Sequence, residues 1–126
     1  KKTFSLVLFL FSAVAFSQNW QATYAEALAC AKEQDTPLIL VFSGSDWCAP
    51  CIKLDKQIWQ SDDFKSYAKT NYVLYRADFP RKKNNKLSKE LATQNNQLAD
   101  RFNPKGYFPL VVILNTEEKV LGTTGY

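Results

Sequence analysis

The chain has 126 residues, 46% of them apolar, and a formal net charge of +4. This length supports one domain with one hydrophobic core and leaves no room for a second. Without the N-terminal segment 1–17 the chain has 14 basic and 12 acidic residues, which argues against nucleic acid as the main partner. It contains three cysteines but neither histidine nor methionine, so the usual ligands of zinc and soft-metal sites are scarce.

The N-terminal segment has the pattern of a secretory signal peptide. Lys1 and Lys2 precede an almost wholly apolar run, 4–16, which is followed by Ser17 and Gln18. The 13 residues of this run would form a helix about 20 Å long, shorter than the bilayer core of about 30 Å. We therefore expect a cleaved signal peptide over 1–17 and an exported, periplasmic or extracellular domain over 18–126 without a stable membrane span.

A helix and a buried strand are predicted next along the chain. Apolar residues at helical spacing are Trp20, Tyr24, Leu28 and Ala31. They predict a first helix that ends near residues 35–37. Cys30 falls within it, and a small buried residue is favoured there over a reactive thiol. The unbroken apolar run 38–42 then indicates a fully buried strand.

The segment Trp47-Cys48-Ala49-Pro50-Cys51 follows this strand after the turn-like residues 43–45. Pro50 suits the first turn of a helix, where its missing N–H is not needed. Further apolar positions at helical spacing are Cys51, Leu54 and Ile58. The sequence therefore predicts a strand, a turn and a helix that begins at the two cysteines.

This placement predicts different roles for the two cysteines. Two thiols three residues apart can close a disulfide without backbone movement when the first lies at a helix N-terminus and the second one turn inside. Unpaired N–H groups and the helix dipole stabilise a thiolate on Cys48, and the thiolate is the nucleophile of disulfide exchange. Cys51 would be shielded and would attack only after Cys48 has formed a mixed disulfide. We predict Cys48 as the attacking and Cys51 as the resolving catalytic residue.

Other interpretations of the cysteine pair are weaker. A zinc site needs about four ligands, whereas the chain offers only Cys30 beyond the pair and no histidine. Two structural core cysteines are disfavoured because Asp46 and Ala49 beside them are typical of a loop. We predict neither a metal nor a cofactor.

The remainder of the chain alternates between helix and strand patterns before a hairpin. Ser61 can cap a short helix through residue 68, and residues 72–79 indicate a strand. Residues 87–102 predict a further helix, closed by residues 103–106. Residues 110–114 and 119–121 predict the hairpin. The fold class is therefore α/β, a mixed central sheet with helices on both faces.

With this pattern around its CxxC pair, the chain resembles the thioredoxin superfamily, and more closely its exported bacterial proteins with a Ser-Asp-Trp-Cys-x-x-Cys segment. The resemblance covers residues 20–126 and implies a three-layer thioredoxin-like fold. It places Pro109 at a cis-proline beside the disulfide, and makes Trp47, Phe108 and Pro109 the substrate contacts. Ala49 and Pro50 would tune the reduction potential. Expected partners are protein thiols or disulfides and an upstream redox partner, with the protein a monomer.

Three features depart from the superfamily pattern. Phe42 stands where thioredoxin has a buried acid six residues before the first cysteine, so proton transfer must use water or another group. Two residues separate Gly106 from Pro109 where one is usual. The sequence also ends soon after the hairpin, so we expect either that the C-terminal helix of the family is missing or that the sequence is a fragment.

Two questions stay open at this point. The sequence favours a thiol-disulfide oxidoreductase but does not give its direction, and the alternative is a non-catalytic thioredoxin-like module that binds a protein through the Pro109 surface. A basic stretch between residues 81 and 89 is typical of a solvated loop and helix start. Docking of an acidic partner is its alternative function.

Overall fold

The computed structural model describes residues Trp20 to Tyr126, so the predicted signal peptide over 1–17 lies outside the described residues. In chain order, the helices are α1 (Tyr24–Gln34), α2 (Ala49–Leu54), α3 (Asp62–Asn71) and α4 (Lys89–Phe102). The strands are β1 (Leu38–Ser43), β2 (Val73–Asp78), β3 (Leu110–Leu114) and β4 (Val120–Thr124). A π-helical turn, Asp55–Trp59, continues α2, and a 3₁₀ turn, Lys83–Asn85, precedes α4.

Side-chain caps fix where the helices begin. The hydroxyls of Thr23, Ser61 and Ser88 each accept the backbone N–H three residues further on, which satisfies a donor that the helix itself leaves unpaired. The predicted cap at Ser61 is confirmed. Trp20 does not join α1 as its spacing suggested, because the cap places the helix start at Tyr24. It instead forms an isolated parallel bridge with Leu74 of β2.

The four strands form one mixed sheet in the order β2-β1-β3-β4. β1 runs parallel to β2 and antiparallel to β3, and β3 pairs antiparallel with β4. All six residues of β1 are buried, because this strand lies inside the sheet and is covered on both faces. The predicted mixed sheet and the buried strand are confirmed.

Alternate residues of β1 enter two separate cores, one on each face of the sheet. Leu38, Leu40 and Phe42 belong to the core that packs against α1 and α4. Ile39 and Val41 belong to the core on the opposite face, which packs against α2, its π-helical turn and α3. The result is the predicted three-layer α/β fold. The turn that carries the cysteines follows Ser43, at the end of the buried central strand β1.

No helix between Trp20 and Tyr126 is both long enough and apolar enough to cross a bilayer.

Candidate active site

The turn between β1 and α2 is held in place by hydrogen bonds from both sides. The carbonyl of Gly44 accepts from the N–H groups of Trp47 at 3.3 Å and Cys48 at 2.9 Å. The N–H and hydroxyl of Ser45 both donate to the carboxylate of Asp78, at the end of β2. A Cβ on Gly44 would overlap the indole of Trp47. This position therefore requires glycine because the ring approaches the backbone closely.

Cys48 and Cys51 form a disulfide with their Cα atoms 5.2 Å apart. Cys48 is the N-cap of α2, and its sulfur accepts the N–H of Cys51 at 3.3 Å. Ala49 and Pro50 occupy the exposed first turn of the helix between them. The predicted strand, turn and helix are therefore present. In this oxidised form Cys48 is only 5% exposed and Cys51 3%. The exposed fractions of the two cysteines therefore hardly differ in the disulfide form.

Three aromatic rings lie together next to the turn that carries the cysteines. The rings of Trp47 and Phe108 meet edge to face at 5.5 Å, and those of Phe79 and Phe108 at 5.4 Å. The indole N–H of Trp47 donates to the carbonyl of Phe79 at 2.8 Å. The peptide bond between Phe108 and Pro109 is cis. The structure thus brings Trp47, Phe108 and Pro109 to the end of the sheet that carries the cysteines, and it adds Phe79, for which the sequence predicted only a place in a strand.

A small pocket of about 80 Å³ lies behind the disulfide and is lined by Cys51, Pro109, Asp55 and Arg76. Asp55 and Arg76 form an ion pair at 2.7 Å, with side chains 28% and 34% exposed. Phe42 stands where thioredoxin has a buried acid. Its ring is fully buried and stacks on that of Phe79, with the ring centroids 6.4 Å apart. Asp55 was not predicted as a site residue from the sequence. It follows Cys51 by four residues, and residues at this spacing share one helix face.

The acidic residue before the cysteines turns away from them. The carboxylate of Asp46 accepts the N–H groups of Arg81 and Lys82 and the side-chain amide of Asn85, each at 3.0 Å. These hydrogen bonds, with that from Arg81 first, lower the pKa of Asp46 to about 2. The guanidinium of Arg81 also lies over the ring of Trp47, 3.7 Å from its centroid. Asp46 therefore anchors the basic loop to the turn that holds the cysteines.

Cys30 lies apart from this site, in α1. It is half-buried and packs against the core that α1 shares with α4. Its sulfur accepts the side-chain amide of Gln34 at 3.1 Å. Burial, and then the charge of Glu33, raise the pKa of the Cys30 thiol. Such a thiol is a poor nucleophile at neutral pH.

Comparison with known proteins supports the same assignment. Residues 19–116 match the thioredoxin-like family. Over 112 residues the chain is 38% identical to a protein of Chlamydia pneumoniae named disulfide bond reductase DsbH, covering 89% of this chain and 65% of that protein. It is 30% identical to the thioredoxin-related protein DsbJ of the same organism, covering 84% of this chain and 30% of that protein. The chain thus spans less than two thirds of the length of either relative.

Solved structures agree with the fold. A structure described as DsbH oxidoreductase superimposes with a TM-score of 0.79 and 33% identity, over 98% of this chain and 83% of that one. A disulphide isomerase from Xylella fastidiosa superimposes with a TM-score of 0.60, at 24% identity, over 79% of this chain and 69% of that one. At that identity the second likeness supports the fold alone. With the match over residues 19–116 and the CxxC disulfide at the start of α2, the chain belongs to the thioredoxin-like family.

Proposed function

We propose that the protein is an exported thiol-disulfide oxidoreductase that reduces disulfides in other proteins. The observation that carries this proposal is the Cys48–Cys51 disulfide at the N-terminus of α2. The reducing direction is supported by similarity to a protein named disulfide bond reductase. The residues between the cysteines, Ala49 and Pro50, also lack the histidine that the resemblance associates with strongly oxidising members.

The reaction needs only the two sulfurs of the reduced protein. The thiolate of Cys48 attacks one sulfur of a substrate disulfide, so a mixed disulfide forms and the other substrate sulfur leaves as a thiolate. Cys51 then loses its proton and attacks the sulfur of Cys48, which releases the second substrate sulfur. Two electrons have passed from the cysteine pair to the substrate, and the pair is left as the disulfide. An upstream redox partner must reduce it again, because an exported protein works in an oxidising compartment.

The start of α2 at Cys48 supports this residue as the one that attacks first. Its sulfur already accepts the N–H of Cys51 in the disulfide form, and the same donor and the helix dipole would stabilise the thiolate. Cys51 lies one turn inside the helix that Cys48 caps. It is therefore the sulfur that a substrate protein reaches less easily, as a resolving cysteine should be.

Asp55 is our proposed proton acceptor for Cys51. Both line the pocket of about 80 Å³ behind the disulfide, and a cavity of that size has room for water between them. Arg76 holds the carboxylate in position through their ion pair at 2.7 Å. The proposed proton acceptor thus lies in the π-helical turn after α2, because Phe42 in β1 has no group that can accept a proton.

Substrate binding is proposed at the Phe108–Pro109 segment. A backbone strand of the substrate would pair with the main chain of Phe108, because both main-chain groups of Tyr107 are bound to the side chain of Asn103. Such pairing gives affinity with little demand on sequence. Phe108 and Trp47 would then offer apolar contacts next to the reacting sulfurs, since their rings touch at 5.5 Å. Export itself is proposed from the charged and apolar pattern of residues 1–18.

Reduction of insulin by dithiothreitol tests this function against a non-catalytic binding module. The mature domain should accelerate the reaction, and Cys48→Ser should remove the acceleration because the thiolate that attacks the substrate is gone. Cys30→Ser is the matched control and should retain the activity, since Cys30 lies in α1 away from the site. Equal rates with the unchanged protein and with Cys48→Ser would favour the binding module.

A further inference from the structure

An open groove of about 570 Å³ runs between the end of β2 and α4. Its apolar lining is formed by Phe79, Pro80, Leu87 and Ala92. Lys86 and Lys89 line the same groove and are exposed. The volume falls within the range of ligand-binding clefts, about 300 to 1,000 Å³. An apolar lining with two ammonium groups fits a polypeptide segment that carries both an apolar side chain and carboxylates.

The groove continues a strongly basic surface. The basic residues between positions 79 and 89 are Arg81, Lys82, Lys83, Lys86 and Lys89, and this stretch has no acidic residue. All five are exposed, and none forms a salt bridge with another residue from Trp20 to Tyr126. One carboxylate, that of Asp78, also lines the groove, but it accepts hydrogen bonds from Ser45 and from the N–H of Phe79. Asp46 binds N–H groups of the loop, and Glu90 is turned to a separate pocket.

This basic surface is fixed to the turn that carries the cysteines. Asp46, two residues before Cys48, accepts the N–H groups of Arg81 and Lys82 at 3.0 Å. Arg81 lies over the ring of Trp47 at 3.7 Å. Phe79 contributes both to the groove and to the aromatic contacts beside the disulfide. A partner bound in the groove would consequently be held next to Cys48.

We propose that this groove and its basic loop bind acidic segments of the protein substrates and so select substrates with carboxylates near their disulfide. The inference rests on the proposed function for the identity of the partner. Charge complementarity gives the acidic character, and the apolar lining indicates a polypeptide rather than a nucleic acid, whose phosphates would leave Phe79, Leu87 and Ala92 without a partner. The groove thereby adds selectivity to main-chain pairing at Pro109, which by itself makes little demand on sequence.

Two peptides that differ only in charge test the proposal. Both contain the same disulfide and the same apolar residue, and three flanking positions are Glu in one and Lys in the other. We expect the reduced protein to favour the Glu peptide by about five- to tenfold in kcat/KM, from two or three screened surface contacts. The difference should lie mainly in KM. It should shrink when salt is raised from about 0.01 M to about 0.15 M.

Two matched double variants change the net charge equally, one in the groove and one on the opposite face of the sheet. Lys86→Glu with Lys89→Glu should abolish the preference or reverse it. Lys56→Glu with Lys65→Glu, on the opposite face of the sheet, should keep it, because both lysines are exposed there and the net charge changes equally. The milder pair Lys86→Gln and Lys89→Gln should lower the preference and guards against misfolding, which circular dichroism would detect.

Two further readouts separate this inference from the proposed function. Fluorescence anisotropy with cysteine-free versions of the peptides measures docking without any redox step, and the Glu version should bind more tightly. Turnover of a small neutral disulfide measures the cysteines without the groove and should be the same in all variants. Equal binding of both peptides would overturn the groove as an acidic-segment site while leaving the activity intact. Binding of duplex DNA or anionic vesicles, but not of the Glu peptide, through Lys86 and Lys89 would overturn it as well.

Discussion

At the residue scale, the exchange of an acid for Phe42 changes how a proton can reach the buried side of the disulfide. Phe42 is fully buried in the core between the sheet and α1 and α4, so it cannot accept a proton. Asp55 lies on the other side of the sheet, in the pocket that Cys51 lines. Its ion pair with Arg76 keeps a carboxylate there in a half-buried position. We therefore infer that the proton acceptor has moved from a strand to a helix.

Asp55→Asn should slow the resolving step by about 100-fold, the low end of effects for a removed proton acceptor. The reason is that Cys51 must then lose its proton to solvent, so the rate should also rise more steeply with pH. Rapid-quench measurement of the mixed disulfide during single turnover checks both effects. Arg76→Gln removes the ion pair but keeps the carboxylate, and should have the smaller effect. An unchanged pH profile in Asp55→Asn would exclude Asp55 from this role.

Another residue-scale prediction concerns the carboxylate of Asp46. Hydrogen bonds from Arg81, Asn85 and Lys82 hold its pKa at about 2, below the ordinary value of about 3.9. Because the folded-state pKa is lowered, the anchoring of the loop is complete above pH 4 and is lost as the pH falls towards 2. The amide NMR signals of Arg81 and Lys82 should therefore titrate with a midpoint near pH 2. A midpoint near pH 4 would contradict the anchor.

At the scale of elements, the turn from β1 into α2 depends on a close contact between Gly44 and Trp47. Gly44→Ala should push the indole out of place, because a Cβ there overlaps the ring. The bond from Trp47 to the carbonyl of Phe79 and the stacking of Arg81 would be lost with it. We expect a loss of about 1–3 kcal/mol in the free energy of unfolding, as for overpacked sites. Urea unfolding and tryptophan fluorescence measure the two effects.

Gly122→Ala is the matched control for that substitution. A Cβ at Gly122 in β4 would meet nothing within 4 Å, so its effect should stay within about 0.5 kcal/mol. Equal destabilisation by both substitutions would indicate a general cost of replacing glycine. The contact with Trp47 would then not be what requires Gly44.

Most elements could be predicted because each depends on a local pattern. The apolar run of β1, the cap at Ser61 and Pro50 in the first turn of α2 are all short-range signals, and all are confirmed. Trp20 was assigned to the wrong element because helical spacing does not reveal the cap at Thr23 that starts α1 later. The π-helical turn after α2 has no comparable signature in the sequence.

The parts of the site that the sequence missed join residues far apart in the chain. Asp46 bonds to the loop at Arg81, 35 positions away, and Asp55 pairs with Arg76, 21 positions away. Nothing local distinguishes these carboxylates from solvated ones. The cysteines were found because their chemistry depends on a single helix start, which spacing and Pro50 do reveal.

At the scale of the whole molecule, the strand order places all the reactive parts at one end of the sheet. β1 lies between β2 and β3, so the turn with the cysteines leaves the sheet between Asp78 at the end of β2 and Pro109 before β3. Cores on both faces fix these strands against the helices. The groove with its basic loop begins directly after β2. Phe108, whose ring contacts that of Trp47, lies directly before β3. A substrate can therefore contact both while its disulfide meets Cys48.

The reduction potential of the Cys48–Cys51 pair tests the proposed reductase function most directly, because it determines the direction in which electrons pass between the pair and its substrates. The measurement equilibrates the protein with glutathione buffers and counts free thiols, with Cys30→Ser used so that only the pair is titrated. For a reductase we expect a value below about −200 mV, towards the about −270 mV of thioredoxin. A value near about −120 mV, that of a strong periplasmic oxidant, would contradict the reducing direction and assign the protein to disulfide formation.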